Sequence, residues 1–235
     1  MPIRREIQHI LNTLRGEAVV EGIRLPLDRN VLSRRMRRRL AGAKYEANEI
    51  RATSAVVKPG DKVLELGAGL GFVSSYLRKH TAAGPIICIE ANPDLIPYIQ
   101  QVHRLNAVSD TQVIHGIALP SDEAHNLPFY CRTDFWASSL DAEPAYERVV
   151  SVTGIPLQAL IAKHRPALMV MDIEGGERDL LGVAALDGVR TIVLEVHPKV
   201  YGASGLDTVR RHLARLSFRP AEGFEESGVQ IHHRT

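Results

Sequence analysis

Two pairs of polar side chains stand where they can handle a proton or a cation. Asp172 and Glu174 follow one apolar segment in the C-terminal half, and Glu195 and His197 follow the next. Imidazole exchanges protons near neutral pH, and carboxylates act as general bases or as oxygen ligands of Mg²⁺. If the two segments are parallel strands of one sheet, these side chains gather at its carboxyl edge. The alternative for His197 is a turn with Pro198 that ends the strand.

Three glycines, Gly67, Gly69 and Gly71, stand directly after an apolar strand pattern and before a helical one. Glycines at such a place allow a tight turn and the close approach of a ligand to the backbone. The dinucleotide motif Gly-x-Gly-x-x-Gly requires its third glycine where Phe72 stands. The carboxylate of Glu65 would repel a pyrophosphate but can pair with an ammonium group. S-adenosylmethionine, with an α-amino group, a sulfonium and no phosphate, therefore fits this loop better than a dinucleotide.

A further acidic residue, Glu90, stands at the end of the second strand pattern, 19 residues after Gly71. A carboxylate at this position of an α/β fold can accept hydrogen bonds from both ribose hydroxyls. Because both classes of cofactor carry that ribose, Glu90 indicates a nucleoside ligand without choosing between them. The alternative is a solvated acid at the end of a strand.

The elements that must position these groups alternate from the turn Lys58–Asp61 onward. Buried strands are predicted at Lys62–Leu66, Pro85–Glu90, Gln112–Ile117, Leu168–Ile173 and Thr191–Val196. Helices are predicted after the first strand to Lys79, over Pro93–Leu105, after the fourth strand to Leu181, and over Leu206–Leu216. Continuous apolar strands separated by helices are typical of a parallel sheet covered on both faces. The predicted fold class is α/β, a doubly wound and mostly parallel sheet.

Residues 1–45 are predicted to form an N-terminal extension, and residues 46–235 the main domain. The extension has a helical pattern over Ile3–Leu14, two short strands around Gly22, and helices within Asn30–Arg51 interrupted near Gly42. It would serve as a lid over the cofactor or as a surface between two copies in a homo-oligomer.

The less regular stretch Leu119–Val152 contains three prolines and predicts an antiparallel insertion or substrate-side loops. Its aromatic side chains, Tyr130, Phe135 and Trp136, either line an acceptor pocket or form the core of an antiparallel pair.

Composition indicates a globular cytoplasmic protein. The chain has 235 residues, a net charge of +2, and two cysteines without a Cys-x-x-Cys pair, which argues against a zinc site. The apolar runs are shorter than the ~20 residues of a membrane span, and no signal peptide is visible. His232 and His233 are expected to be exposed in a polar tail.

A basic cluster consists of Arg34, Arg35, Arg37, Arg38 and Arg39. Such a cluster is either a nucleic-acid or phosphate-binding arm or a solvated helical face. No aromatic residues alternate with these arginines to stack on bases, so the solvated face is favoured and nucleic acid is not the expected partner.

The order of these motifs resembles that of class I S-adenosylmethionine-dependent methyltransferases, and more narrowly that of the FkbM family, from about Glu17 to Phe218. The matching blocks are Tyr45-Glu46, Lys58 to Ser74, Ile89 to Pro93, Ser138 to Leu140, Met171 to Glu177 and Leu194 to His197. The most specific is the Asp-x-Glu-Gly-x-Glu block that begins at Asp172. The chain departs from the family in having Glu65 in place of the more frequent Asp and Ala91 in place of Pro.

The resemblance implies a Rossmann-like methyltransferase fold and a cofactor site for S-adenosylmethionine, whose product is S-adenosylhomocysteine. It implies that Glu65 and the glycine loop hold the methionine moiety with Glu46, and that Glu90 holds the ribose. The other implied contacts are Ala91 and Asn92 beside the ribose, Ile117 and Ala118 at the adenine, and Ser138 and Ser139 near the carboxylate end of the cofactor.

The predicted activity is O-methylation of a small-molecule hydroxyl, and the resemblance implies a sugar, glycolipid or polyketide-type acceptor. We hypothesise that Asp172 or His197 accepts the hydroxyl proton while Glu174 orients the substrate. A metal is not expected, although Asp172, Glu174 and Glu195 are an alternative oxygen ligand set for Mg²⁺. Glu177 and Asp179 have an alternative role as charges in the first turn of a helix.

Two other functions stay open. The first is an NAD(P)-dependent oxidoreductase, against which the spacing of the glycines and Glu65 argue. The second is a nucleic-acid-binding module that uses Arg34–Arg39. Methylation of a nucleobase nitrogen is not expected, because the residues after the fourth strand, Asp172 to Gly175, lack the Asn/Asp-Pro-Pro-Tyr/Phe run of such enzymes.

Overall fold

The computed structural model describes residues 16–43, 45–143, 145–183, 185–226 and 228–235. The helical pattern predicted over Ile3–Leu14 lies outside the described residues. The strands are β1 (Glu17–Val20), β2 (Ile23–Pro26), β3 (Val63–Leu66), β4 (Ile86–Glu90), β5 (Thr111–His115), β6 (Ile117–Leu119), β7 (Asn126–Cys131), β8 (Arg148–Pro156), β9 (Leu168–Met171), β10 (Thr191–Glu195), β11 (Phe218–Glu226) and β12 (Val229–Arg234). The helices are α1 (Arg34–Ala41), α2 (Ala47–Val56), α3 (Phe72–His80), α4 (Leu95–Leu105), α5 (Leu157–His164), α6 (Glu177–Val183) and α7 (Pro198–Arg215).

The central sheet has seven strands in the order β11-β12-β10-β9-β3-β4-β5. The five strands from β10 to β5 run parallel, as predicted, and β3, β4 and β9 are buried along their whole length. Apolar clusters cover both faces, which explains why these strands show continuous apolar runs rather than an alternating pattern. The doubly wound α/β prediction is confirmed.

The C-terminal edge of the sheet differs from the prediction. β12 pairs antiparallel with β10, and His232 stands opposite Ile192 with only 3% of its surface exposed. The expectation that His232 lies exposed in a polar tail is therefore wrong. Burial lowers the pKa of His232 to about 4. The polar composition of this segment does not indicate a buried strand. Its burial results from pairing with β10, which is distant along the chain.

The insertion forms a second, three-stranded sheet in the order β6-β8-β7. β7 and β8 pair antiparallel as predicted, whereas β6 pairs parallel with β8. The third predicted strand, Gln112–Ile117, is divided at Gly116 between the two sheets. A Cβ at Gly116 would lie 2.7 Å from Ile155 Cδ1 and 3.1 Å from the Thr153 carbonyl oxygen, so a larger residue where the chain passes between the sheets would require these neighbours to shift.

The N-terminal hairpin β1-β2 packs against α3 and α4. The Tyr98 hydroxyl donates a hydrogen bond to the Pro26 carbonyl at 2.7 Å, and Asn106 exchanges two hydrogen bonds with the Arg24 backbone at 2.9 Å each. Hairpin residues such as Ile23 belong to the same apolar cluster as the central strand residue Val63. These contacts fix the position of the hairpin. Helix α1 follows the hairpin in the chain and lies at the edge of the site. Its role as a lid or as a surface between two copies stays a prediction.

Candidate functional site

A cavity of about 540 Å³ lies at the carboxyl edge of the parallel strands. Its walls come from the ends of β3, β4 and β10, the loop after β9, the second sheet, and helix α1. The residues with predicted chemistry follow these strands in the sequence. Because the strands run parallel, their carboxyl ends all lie at this edge of the sheet. The cavity is therefore the candidate site.

The glycine loop is shaped by its packing against the neighbouring strands. Gly67 has a φ of +83°, and a Cβ there would lie 1.7 Å from the Asp172 carbonyl oxygen. Its N–H donates a hydrogen bond to the Ile89 carbonyl at 3.0 Å. Gly71 has a φ of +68°, and a Cβ there would lie 2.7 Å from Ile99. The backbone of Gly67 and Gly69 lines the cavity, whereas Gly71 packs beneath the loop.

Glu90 ties this loop to the turn after β4. Its Oε2 accepts a hydrogen bond from Gly69 N at 2.9 Å, and its Oε1 accepts one from Asn92 N at 2.7 Å. Burial raises the pKa of Glu90 to about 7. The carboxylate lines the cavity beside Ala91, while Asn92 is buried behind it. Asn92 thus contacts the predicted ribose acceptor rather than the cavity.

A smaller pocket of about 20 Å³, roughly the room that one water molecule needs, adjoins the main cavity. Its acidic lining residues are Glu46, Glu49, Glu65, Asp172 and Glu195. Burial raises the pKa of Glu65 to about 7, and Glu65 Oε2 accepts a hydrogen bond from Cys88 Sγ at 3.1 Å. Glu65 therefore faces this small pocket rather than the main cavity.

The remaining predicted cofactor contacts lie on the walls of the main cavity: Glu46, Ile117, Ala118, Ser138 and Ser139. Sequence reasoning missed Met36 and Arg39, which reach the cavity from α1. No motif could reveal them, because α1 reaches the site through the packing of the hairpin that precedes it.

The predicted proton-handling residues come together at the ends of β9 and β10. His197 Nε2 lies 3.4 Å from Asp172 Oδ1 and 3.4 Å from Glu174 Oε2. His197 Nδ1 lies 3.3 Å from Glu177 Oε1. We call Asp172, Glu174, Glu177, Glu195 and His197 the acidic–histidine cluster.

Glu177 and Asp179 both lie in the first turn of α6, as their alternative role requires. The side chain of Glu177 is in addition completely buried, and its Oε1 accepts hydrogen bonds from the backbone N–H groups of Ile173 and Gly175 at 3.3 Å each. Asp179, two residues further along, is exposed and pairs with Arg178 at 2.8 Å. The role of a solvated first-turn charge therefore fits Asp179, whereas Glu177 also contacts His197.

The electrostatics of the cluster favour a positive charge at its centre. Burial alone would lower the pKa of His197, but the carboxylates of Glu177, Glu174 and Asp172 outweigh it and raise that pKa to about 9. Burial and the neighbouring carboxylates Glu195 and Glu174 raise the pKa of Asp172 well above its ordinary value. Several acids thus share a space that one proton, one cation or one cationic ligand would stabilise.

Helix α1, which carries the arginine cluster, borders the cavity through Met36 and Arg39. The Arg35 guanidinium lies 5.7 Å from the centre of the Trp136 ring and 3.7 Å from Asp134 Oδ2. The Arg39 guanidinium lies 5.9 Å from the centre of the Tyr45 ring. Aromatic residues therefore do accompany these arginines, but they come from other parts of the chain. Trp136, together with Phe135, lines the cavity.

The family model for the TRM5/TYW2 methyltransferase domain matches residues 38–124. Among curated proteins, the chain is 27% identical over 112 residues to ribosomal RNA small subunit methyltransferase A of Rubrobacter xylanophilus, covering 44% of this chain and 42% of that protein. The same enzyme of Dehalococcoides mccartyi is 28% identical over 126 residues, covering 48% of this chain and 40% of that protein. The chain spans less than half the length of these curated relatives.

Among solved structures, the M. jannaschii TYW2 complex with AdoMet is similar with a TM-score of 0.50 and 12% identity, covering 94% of this chain and 87% of that one. The precorrin-6y C5,15-methyltransferase of Geobacter metallireducens is similar with a TM-score of 0.50 and 12% identity, covering 82% and 88%. A protein in the NADB-Rossmann superfamily from Streptococcus agalactiae also has a TM-score of 0.50, with 13% identity and coverage of 80% and 68%.

These matches confirm the Rossmann-like class I methyltransferase fold. They agree with S-adenosylmethionine as the predicted cofactor, which is the ligand named for the similar M. jannaschii TYW2 structure. They support the general methyltransferase class, and the narrower resemblance to the FkbM family stays a prediction. The expectation against nucleic acid gains no support, since the curated relatives are named as ribosomal RNA methyltransferases. Within the described part of the chain, no helix has the length and apolar character needed to cross a membrane.

Proposed function

We propose that this protein transfers the methyl group of S-adenosylmethionine to a hydroxyl group of its acceptor. The observation that carries the proposal is the shared cavity: the glycine loop, Glu90 and three carboxylates of the acidic–histidine cluster, Asp172, Glu174 and Glu195, border one space, and His197 contacts two of these carboxylates. The loop and Glu90 suit a nucleoside, and the cluster offers proton acceptors to a hydroxyl.

The cavity walls support one orientation of the cofactor. Glu90 is in place to accept hydrogen bonds from the ribose hydroxyls, and Ile117 and Ala118 offer an apolar wall to the adenine. The methionine end then extends along Gly67 toward Glu46, where the small acidic pocket suits the α-ammonium group. In this orientation the sulfonium methyl group points toward the acidic–histidine cluster.

The reaction breaks the bond between the methyl carbon and sulfur and forms a bond between that carbon and the acceptor oxygen. The bonding electron pair returns to sulfur, which leaves S-adenosylhomocysteine, and the hydroxyl proton passes to the cluster. Asp172 is the proposed proton acceptor, because the raised pKa of His197, about 9, keeps that imidazole protonated at neutral pH, and Glu174 orients the hydroxyl. Because the sulfonium is a strong electrophile, in-line positioning supplies much of the acceleration, and the base adds about 10²- to 10⁴-fold.

RNA is a second candidate acceptor. Among the exposed arginines of α1, Arg39 lines the same cavity and Arg35 lies beside Trp136 on its wall, and arginines in such a place can contact phosphates. The curated relatives are named as ribosomal RNA methyltransferases. The loop after β9 lacks the Asn/Asp-Pro-Pro-Tyr/Phe run, so an RNA acceptor would also offer a hydroxyl, its ribose 2′-OH.

The first test is calorimetric titration of the protein with S-adenosylhomocysteine and, separately, with NADH. We expect saturable binding of S-adenosylhomocysteine alone; binding of NADH alone would reject the proposal in favour of an oxidoreductase. Transfer of a labelled methyl group is then measured with polyol, sugar and polyketide-type acceptors and with RNA. Label that is recovered only on nitrogen would reject O-methylation.

Two measurements distinguish an RNA acceptor from a small-molecule acceptor: the salt dependence of methylation and the effect of substitutions in α1. Methylation of RNA should weaken steeply as salt rises, because phosphate contacts release counterions. Replacing Arg34, Arg35 and Arg38 by serine should then abolish most RNA methylation, while a small neutral acceptor should be methylated as before. An equal effect on both acceptors would reject an RNA-specific role for α1.

A further inference from the structure

We propose that Asp172, Glu195 and His197 bind one divalent transition-metal ion at the edge of the cavity. One ligand atom from each residue lies within 4.8 Å of the other two. The three residues follow β9 and β10, which are adjacent parallel strands, so the scaffold of the sheet holds them together. Ion binding does not depend on the proposed function, but the role that we assign to the ion rests on it.

Two carboxylate oxygens in this place lack a hydrogen-bond partner among the described residues. Asp172 Oδ1 is shielded from solvent, accepts no hydrogen bond, and lies 3.4 Å from His197 Nε2. The side chain of Glu177 is completely buried, and its Oε2 also has no hydrogen-bond partner. Buried carboxylate oxygens without a partner are costly unless a cation compensates them.

Glu177 gives the second, independent observation. Metal-binding histidines usually donate their other ring N–H to a carboxylate, which fixes the tautomer and the orientation of the ring. Glu177 Oε1 lies 3.3 Å from His197 Nδ1 and is itself held by the backbone N–H groups of Ile173 and Gly175. By geometry His197 Nδ1 makes no hydrogen bond with the described residues, so its contact with Glu177 is an ion-pair distance. A cation at Nε2 would replace the second ring proton and leave the remaining proton on Nδ1, facing Glu177.

The ligand set indicates the kind of ion. Imidazole suits Zn²⁺, Fe²⁺ and similar ions, whereas carboxylates also suit Mg²⁺ and Mn²⁺. A mixed set of two carboxylates and one imidazole therefore favours Mn²⁺, Fe²⁺ or Zn²⁺ over the Mg²⁺ considered from sequence. Bond lengths of ~2.0–2.2 Å place the ligand atoms of one ion about 3 to 4.2 Å apart. The 3.4 Å between His197 Nε2 and Asp172 Oδ1 lies within that range.

Such an ion deepens the proposed function. A hydroxyl that coordinates a divalent cation loses its proton more readily, as metal-bound water does. With Asp172 and His197 occupied as ligands, Glu174 is the carboxylate left to receive that proton. Asp172 and His197 would then act by holding the ion rather than by accepting the proton themselves.

The test measures Mn²⁺ binding by the full chain after EDTA treatment, with calorimetry and pulsed electron paramagnetic resonance. We expect one Mn²⁺ per chain and a nitrogen coupling from the His197 imidazole. Asp172→Asn and Glu195→Gln should weaken Mn²⁺ binding by about tenfold or more, and His197→Gln should also remove the nitrogen coupling. Glu177→Gln leaves all three ligands in place and should still cost about 10- to 100-fold in affinity.

The matched control is Asp179→Asn, which removes a carboxylate from the wall of the same cavity but not from the proposed ligands. It should leave Mn²⁺ binding nearly unchanged, and a cooperative thermal unfolding transition shows that each variant is folded. Failure of the wild-type chain to bind Mn²⁺ saturably would overturn the proposal. So would equal losses in Asp179→Asn and Glu195→Gln, since negative potential alone would then explain binding.

The outcomes for the ion and for the proposed function are distinguishable. Methylation of a hydroxyl by EDTA-treated protein that binds no Mn²⁺ would reject the ion and leave the proposed function standing. Mn²⁺ binding with a nitrogen coupling, in a protein that methylates no hydroxyl, would support the ion site and reject the proposed function.

Discussion

Glu177 and His197 form a buried carboxylate–imidazole pair in which Oε1 lies 3.3 Å from Nδ1. Glu177 is at the start of α6, whereas His197 follows β10, so the pair connects two loops that border the cavity. Backbone N–H groups of the loop after β9 hold the same carboxylate oxygen. The pair therefore positions the imidazole relative to Asp172 and Glu174.

Removing this buried carboxylate should be costly. We expect Glu177→Ala to lower the free energy of unfolding by about 3–5 kcal/mol, because it leaves His197 without its buried partner. Asp179→Ala is the control on the same helix, and the exposed position should cost less than about 1 kcal/mol. Urea denaturation of both variants measures the difference. Equal costs would show that Glu177 acts only through the helix dipole.

The sequence was sufficient to predict the parallel part of the sheet and the edge where the site lies. Four of the five parallel strands, β3, β4, β9 and β10, are short apolar runs, and the polar residues that end or follow them are visible in chain order. The fifth, β5, is more polar and less buried. The gathering of Asp172, Glu174 and His197 followed from that topology alone.

The contacts that sequence did not predict depend on partners remote along the chain. The sequence indicated for Glu177 only the role of a charge in the first helical turn, and its contact with His197, 20 positions away, could not be predicted from it. Met36 and Arg39 enter the cavity because the hairpin packs on α3 and α4. His232 is buried because β12 pairs with β10. Each of these contacts is tertiary, so no local period of apolar residues could indicate it.

The close approach at Gly67 predicts a strong effect of a single methyl group. In Gly67→Ala the Cβ would meet the Asp172 carbonyl at 1.7 Å, which forces the glycine loop away from β9. We expect S-adenosylhomocysteine binding to be lost and the thermal midpoint to fall. Calorimetry and thermal unfolding measure these two effects.

Gly188→Ala is the matched control for this substitution. Gly188 has a similar φ of +80°, but no atom lies within 4 Å of its Cβ position. The Gly188→Ala substitution should cost only the backbone strain of about 1–2 kcal/mol, and the variant should bind S-adenosylhomocysteine normally. If both variants bind alike, the close approach at Gly67 has no part in shaping the cofactor site.

The affinity for S-adenosylhomocysteine should depend on pH through Glu90. The pKa of this buried carboxyl is about 7, so it is ionised above pH 7 and protonated below it. Only the ionised form accepts a hydrogen bond from Gly69 and still offers full acceptor strength to the ribose hydroxyls. We expect affinity to fall as pH decreases from 8 to 6, measured by calorimetry in buffers of equal ionic strength.

Glu90→Gln should bind S-adenosylhomocysteine more weakly at pH 8 and should lose part of the pH dependence. Glu65 has a similar pKa, also about 7, and its titration accounts for the pH dependence of affinity that remains in this variant. A pH dependence in Glu90→Gln identical to that of the wild type would rule out Glu90 as the titrating group.

The buried His232 should make the folded state less stable in acid. Its pKa of about 4 in the folded chain lies below the ordinary value of 6.5, so the unfolded chain binds the proton more readily. Its contribution to stability is therefore complete above about pH 6.5 and is lost as the pH falls toward 4. Glu65 and Glu90, whose pKa values are raised, change stability with the opposite sign in this range.

Comparing single variants separates the contribution of His232 to the pH dependence of stability from the opposite contributions of Glu65 and Glu90. We expect the free energy of unfolding of His232→Gln to fall less than that of the wild type between pH 6.5 and 4.5, by up to about 1.4 kcal/mol per pH unit. His233→Gln, one position along the same strand and more exposed, is the control and should follow the wild type. Urea denaturation at four pH values measures both. Parallel curves for His232→Gln and the wild type would mean that this histidine titrates as it does in the unfolded chain, which would contradict its burial in β12.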